Sequence, residues 1–305
     1  MQRILFGAHS LSAMFNINDP AALQEAMAIT VKHGGRLFEM PYLLCTLSWG
    51  KVAEIAKTAG ITEISLCHFF PRDQSGAPHG DPLGDEKEVL QALDTIRDIC
   101  KAADVIRANG VIVRFIDGPT WGCLGHTYEN LDANVRSDRA VAFLKQAGKI
   151  CEKAKIILAV EFLRPGEGVI DGTGEMLYIL ERVSSTWVKM HFDVFHAEEH
   201  GENIPDMIRI ASHQIAYLHL HGSKRVVAGS KNDEMNWQAI AAAVKLIPFS
   251  EEVGPLPIVS EPFGKKTREE CPPLGDGLPE VPEMDEYLKL TVAKFREVEI
   301  LPLAA

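Results

Sequence analysis

Four apolar runs in this chain carry, near their C-terminal ends, groups that can ionise. "IILAVEFL" carries Glu161, "VKMHFDVF" carries Asp193, "IAYLHLHG" carries His219 and His221, and "PIVSEPF" carries Glu261. Asp193 poses the problem most sharply. Met190, Phe192, Val194 and Phe195 around it are interior residue types, and His191 and His196 flank it. Burying an ionised carboxylate is costly unless a counter-charge meets it. A single buried acid usually finds a Lys or Arg, and a single strand histidine is usually a hydrogen-bonded core residue. Three carboxylates sharing one dry pocket are a different case: either some take up protons, or a divalent cation neutralises them. With one imidazole added, the donor set is mostly oxygen with one nitrogen. Such a set suits Mn²⁺, Co²⁺ or Mg²⁺ better than a thiolate-seeking metal. Glu161, Asp193, Glu261 and one of His219 or His221 are thus expected to hold one divalent ion.

Side chains so far apart in sequence meet only if a fold gathers their strand ends. Strand-like runs fall at residues 4–10, 36–40, 61–69, 111–117, 156–163, 188–195, 215–222 and 257–263. Amphipathic helical patterns alternate with them. In "PAALQEAMAITVKHG", Pro20 suits a first helical turn and Gly34 a C-cap. Others are "DEKEVLQALDTIRDICKAADVIRANG", "SDRAVAFLKQAGKICEKAK", "GEMLYILERV", "NWQAIAAAVKLI" and "EMDEYLKLTVAKFREVE". Eight strand–helix units with no composition shift predict one (β/α)8 barrel, a TIM barrel, over residues 1–305. A doubly wound open sheet and two smaller α/β domains are the alternatives. No GxGxxG follows the first strand and no GxxxxGK occurs, so the nucleotide-binding open sheets lack their phosphate loop.

Barrels place their active sites at the C-terminal strand ends. Three connections on that side are long: residues 70–84, 118–133 and 264–282, after strands three, four and eight. Loops of such length in compact domains are usually functional or disordered. Their Gly and Pro content, with His68, His79, Trp121 and His126, suits a shaped lid, and Trp121 is the tryptophan expected over a substrate. Trp187 and Trp237 are expected to be packing residues.

Composition removes several function classes. The formal net charge is −11, whereas nucleic-acid and anionic-membrane binding need a basic footprint. The start "MQRILFGAHS" is no secretory signal, and no run approaches the roughly 18 apolar residues of a membrane span. Six scattered cysteines without a CxxC pair point to free thiols in a reducing compartment. A soluble cytoplasmic protein is expected.

The runs "VEFLRPGE", "HFDVFH", "HLHGSKR" and "SEPF" resemble those of the xylose-isomerase-like TIM barrels, and among them most of all the D-tagatose and D-psicose 3-epimerase group. The resemblance implies that Glu161, Asp193, His219 and Glu261 bind one divalent metal, and that Glu161 and Glu261 exchange the substrate proton. It implies substrate contacts for Glu167, His196 and Arg225, the last placed six residues after His219. His221 and Gly222 depart from the Gly-then-acid that usually follows the ligand histidine in that group, and Arg164–Pro165 from its Asn-Arg. A homo-oligomer is the expected assembly.

A hydrogen beside a carbonyl becomes acidic when the resulting enolate oxygen is stabilised, which a bound metal ion does as a Lewis acid. Reprotonation at the same carbon gives epimerisation, at the neighbouring carbon aldose–ketose isomerisation. Loss of a β-substituent gives elimination, as expected for an inosose or 3-keto-glycoside, with His68 or His126 as leaving-group acids. An abasic-site endonuclease is disfavoured by the charge. A non-catalytic sugar-binding barrel would not need Glu161 and Glu261 together.

Overall fold

The structure, a computed structural model, describes residues 4–10, 16–70, 80–121, 131–166, 168–248, 253–262 and 283–302. Eight parallel strands close into one barrel in sequence order: β1 (Ile4–His9), β2 (Leu37–Pro41), β3 (Glu63–Phe70), β4 (Phe115–Trp121), β5 (Ile157–Glu161), β6 (Val188–Asp193), β7 (Ile215–His219) and β8 (Leu256–Ser260). The last strand pairs back on the first. The (β/α)8 barrel expected from the sequence is the fold.

Around it run α1 (Pro20–Lys32), α2 (Trp49–Ala59), α3 (Glu86–Ala108), α4 (Ala133–Ala154), α5 (Gly172–Val183), α6 (Val194–Glu199), α7 (Ile204–Ala211), α8 (Trp237–Val244) and α9 (Met284–Glu297). Local chemistry sets several of their starts. Asp19 accepts from the Ala21 N–H ahead of Pro20, and Asp85 and Glu88 form a reciprocal capping box. Trp237 is buried against Phe295, and Trp187 lies under the Lys155 ammonium, so both tryptophans pack as expected.

The strand ends differ from the sequence expectation by about one to four residues, and three of the differences bear on the site. β6 stops at Asp193, because its carboxylate accepts the Phe195 N–H at 2.7 Å and starts α6. Val194 and Phe195 are therefore helical and not strand. β7 stops at His219, which leaves His221 beyond it. β8 stops at Ser260, one residue before Glu261. Apolar periodicity continues through these points, but a side-chain cap or a turn ends the ladder.

Strand periodicity then decides which side chains face inward. Phe6, Phe38, Ile64, Ile116, Leu158, Phe192, Leu218 and Ile258 join the large core between sheet and helices. Leu37, Phe115, Ile157, Ala159, Tyr217 and Val259 form the smaller cluster inside the barrel. Continuing that inward parity by two residues puts Glu39, Asp117, Glu161, His219 and Glu261 above them, with His9, His191 and Asp193 on the corresponding faces of β1 and β6. A Cβ on Gly7 would lie 2.5 Å from the Leu37 carbonyl oxygen, so glycine permits the close approach of β1 to β2 that pairs His9 with Glu39.

Candidate metal and active site

Inside the barrel mouth the predicted strand-end groups converge on one nitrogen. His219 Nδ1 lies 3.0 Å from Glu261 Oε2, 3.7 Å from Asp193 Oδ2 and 4.0 Å from Glu161 Oε1. Ligands about 2.1 Å from a common ion are about 3 Å apart on neighbouring octahedral vertices and about 4 Å apart on opposite ones. The Glu161, Asp193 and His219 spacings fit one coordination shell, and Glu261 Oε2 lies beside the same nitrogen. Ligand atoms of Glu161, Asp193 and His219 all fall within 4.8 Å of one another. Oxygen-rich donors with one imidazole match a hard or borderline divalent cation.

The geometry also separates the two candidate histidines. His221 has both ring nitrogens engaged, Nε2 with Asp193 Oδ1 at 2.9 Å and Nδ1 with the Gly222 carbonyl at 3.0 Å. His219 uses only Nε2 on Glu39, at 2.9 Å, and turns Nδ1 toward the carboxylates. His219 thus turns one ring nitrogen toward the carboxylates, and both nitrogens of His221 are taken by Asp193 and Gly222.

Asp193 has protein partners on both oxygens. Oδ1 accepts from the Phe195 N–H and faces His221, and Oδ2 accepts from Arg225 Nη2 at 3.0 Å. The ordinary arginine pairing of a buried acid is thus present alongside the cluster. Arg225 Nη1 donates to Glu261 Oε2 at 2.9 Å, and Nη2 also donates to His196 Nε2 at 3.1 Å. The Phe195 ring lies under the guanidinium, 4.7 Å from its carbon.

Burial and charge divide the carboxylates. Burial raises the Glu161 carboxyl well above the usual range, and the Asp193 charge adds to it. Burial also acts against Glu261, but Arg225, then His219 and His9, bring it down to about 2. Asp193 is held low in the same manner, with Arg225 and His221 outweighing its burial. Burial pushes His196 down to about 3, so this ring is neutral. Its Nε2 accepts from Arg225, which leaves Nδ1 as the N–H; that atom has no partner among the described residues.

Arg225 is aimed by a strained turn. Lys224 and Arg225 both have positive φ, 54° and 59°, a conformation that costs roughly 1–3 kcal/mol for a residue with a side chain. Neighbours hold it. Glu198 of α6 accepts the Lys224 N–H at 2.6 Å. Asp233 accepts from the N–H groups of Gly229 and Met235 and from Trp237 Nε1, closing the same loop.

Sequence reasoning missed the polar groups that β1, β2 and β4 add beside the carboxylates. Glu39 of β2 is fully buried. Its Oε2 accepts from the Tyr217 hydroxyl at 2.7 Å and faces His219, and its Oε1 faces His9 Nε2 at 2.9 Å. The same His9 nitrogen is 3.5 Å from Glu261 Oε1. Burial would raise Glu39, but His219 and His9 bring it well below the usual range. Asp117 of β4 accepts from Ser65, and burial followed by the Glu39 charge raises its carboxyl well above the usual range. His191 stands edge-on to His219, with ring centres 4.1 Å apart, and burial keeps it neutral. The available signal was the one that exposed Asp193: an acid inside "RLFEM" and a histidine inside "ILFGAHS".

Six of the expected residues therefore come together: Glu161, Asp193, His196, His219, Arg225 and Glu261. His68 is fully buried, with its ring against Tyr42, which stacks on Trp49 at the start of α2. Glu167, His79 and His126 lie outside the described residues, as do the Trp121 side chain and most of the three long loops.

The chain matches the family described as Xylose isomerase-like TIM barrel over residues 28–284. It is 29% identical over 145 residues to the D-psicose 3-epimerase of Enterocloster bolteae, an alignment taking in 45% of this chain and 46% of the relative. The chain thus matches about half the length of that curated relative. Among solved structures it resembles an L-ribulose 3-epimerase, with a TM-score of 0.76 at 17% identity, covering 99% of both chains. It also resembles the IOLI protein solved with a binding zinc atom, with a TM-score of 0.69 at 16% identity over 99% of this chain and 100% of the other.

Proposed function

The chain belongs to the xylose isomerase-like TIM barrel family, and from that membership we propose a divalent-metal-dependent sugar epimerase or isomerase of the ketose 3-epimerase type. One observation carries the reading: Glu161, Asp193 and Glu261 converge on the free face of His219 at 3.0 to 4.0 Å. The matched stretch of a D-psicose 3-epimerase supports the choice of sugar chemistry. Glu161, Asp193, His219 and Glu261 hold the ion in this reading, and Mn²⁺ is the first choice for three carboxylates and one imidazole.

When bound there, such an ion polarises the carbonyl and adjacent hydroxyl oxygens of a ketose and makes the neighbouring C–H acidic. The protein supplies the rest. Glu161 and Glu261 are the carboxylates that move the proton: one takes it from the carbon, and the other returns one to the opposite face, inverting the centre. Arg225, fixed by Asp193 and Glu261 and by its strained turn, presents a guanidinium edge to a substrate oxygen. Neutral His196 offers its Nδ1–H to another. Glu167, Trp121 and His68 complete the proposed substrate contacts.

The same reading makes the protein a cytoplasmic homo-oligomer acting on a small sugar, without nucleic-acid or membrane partners. The net charge of −11 supports the lack of nucleic-acid and anionic-membrane partners. The test is incubation of Mn²⁺-loaded protein with ketoses and 3-keto-glycosides in D₂O, followed by NMR of the products. Deuterium at C3 with inversion is expected. Deuterium at the neighbouring carbon of an aldose, or loss of a β-substituent, would move the reaction to isomerisation or elimination. No deuterium in any substrate would end the enzymatic reading.

A further inference from the structure

We propose that Glu39 is the positioning residue of the metal centre, setting the tautomer of His219. This inference rests on the metal reading above and adds a residue from a different quarter of the barrel. A histidine ligates through a bare ring nitrogen, so its proton must sit on the other one. His219 has one nitrogen facing three carboxylates and the other 2.9 Å from Glu39 Oε2. A carboxylate at that distance accepts a hydrogen bond and does not donate one, so it keeps a His219 proton on Nε2 and leaves Nδ1 as the nitrogen an ion would take.

The carboxylate is itself oriented. Tyr217 donates to the same Oε2 at 2.7 Å, and Tyr217 stands two residues before His219 on one strand, so β7 supplies both the ligand and the group that steadies its acceptor. On the far oxygen, His9 Nε2 lies 2.9 Å from Glu39 and 3.5 Å from Glu261. This nitrogen sits between the two carboxylates and closer to Glu39. Packing alone does not call for this arrangement, since barrel interiors are ordinarily filled by branched aliphatic side chains. A buried carboxylate with three polar partners limits how far the ligand ring can turn.

Glu39→Gln tests the idea because the amide keeps the volume and can donate as well as accept, so it supports either tautomer of His219. Mn²⁺ affinity, measured by calorimetry or by electron paramagnetic resonance titration, is expected to fall ~10–100-fold with far-ultraviolet circular dichroism unchanged. Tyr217→Phe, which removes one hydroxyl, should give a smaller loss of the same kind and serves if Glu39→Gln does not fold. Glu63→Gln is the structural control: this carboxylate is also buried, but it pairs with Arg114 at the other end of the barrel. It should change thermal stability and leave Mn²⁺ affinity as it was. Wild-type affinity in both Glu39→Gln and Tyr217→Phe would overturn the proposal, as would an equal loss in Glu63→Gln. Failure of the wild-type protein to bind Mn²⁺ would instead overturn the metal reading beneath it.

Discussion

Glu39 near the C-terminal end of β2 and Glu63 at the N-terminal end of β3 are both buried carboxylates, yet they are neutralised in different ways. Arg114 Nε donates to both Glu63 oxygens, at 2.9 and 3.0 Å, and Nη2 adds a contact at 2.9 Å. The remaining Arg114 nitrogen donates to the Val253 and Pro255 carbonyls, which ties β3 and the approach to β4 to the start of β8. Every strong group there meets a partner nearby. Glu39 instead faces imidazoles, and each carries the connection onward, His219 through its second nitrogen and His9 through a shared one. A permanently charged, forked cation completes an ion pair. Imidazoles pass orientation from one carboxylate to the next. The first arrangement holds a barrel together, and the second builds a site.

The largest expected effect tests the site end. Glu161→Gln and Glu261→Gln should each lower proton exchange ~10²–10⁴-fold while leaving the fold intact, because each removes a carboxylate proposed to move the proton. Near-normal deuterium incorporation by either variant would contradict its assignment. At the other end, Arg114→Met should cost ~3–5 kcal/mol in denaturant unfolding, since it strands a buried carboxylate. Activity per folded molecule should be unchanged. A loss of activity without loss of stability would erase the distinction between the two ends.

A pH profile sharpens the comparison. Burial raises the Glu63 carboxyl above its ordinary 4.5, and Arg114 offsets only part of the rise. The native state then keeps this proton where the unfolded chain has lost it. Its contribution to stability is full below the unfolded pKa and is lost as pH rises through the native one. Glu39 has the opposite sign, present above the unfolded pKa and lost as pH falls, because His219 and His9 outweigh its burial. Glu63→Gln removes the first titration alone. Its melting temperature should fall relative to wild type as pH is lowered from about 7 toward 4.5. A gap moving the other way would mean that Arg114 outweighs burial. The smallest effect belongs to the turn that aims Arg225: Lys224→Gly should raise the melting temperature slightly, because relief of roughly 1–3 kcal/mol of strain at a φ of 54° outweighs the ~0.4–1 kcal/mol that glycine adds to unfolded-chain entropy. No gain would show that Glu198 and its neighbours already absorb the strain.

Much of the site was legible because an acid inside an apolar strand is an anomaly that alternation makes visible. Glu161, Asp193 and Glu261 stood out on that ground, and parity alone placed them inside the barrel. Glu39 and His9 carry the same signal, but in shorter runs at the start of the chain, where no neighbouring motif drew attention to them. The extents of β6 and β7 were overread for a different reason. Val194, Phe195 and Leu220 are as apolar as strand residues, and only the Asp193 cap and the chain's departure after His219 end the ladders.

The order of apolar and polar residues by itself determined the eight-fold alternation, the inward faces and the four strand ends that can ionise, because a strand's side-chain period is two whatever surrounds it. Which histidine turns toward the carboxylates was decided only in three dimensions. His219 and His221 are chemically identical and share a parity, and they part company because one ring finds Glu39 while the other is used up by Asp193 and a backbone carbonyl. Glu39 lies 180 residues away in sequence, and only closure of the barrel brings it within hydrogen-bond reach of His219.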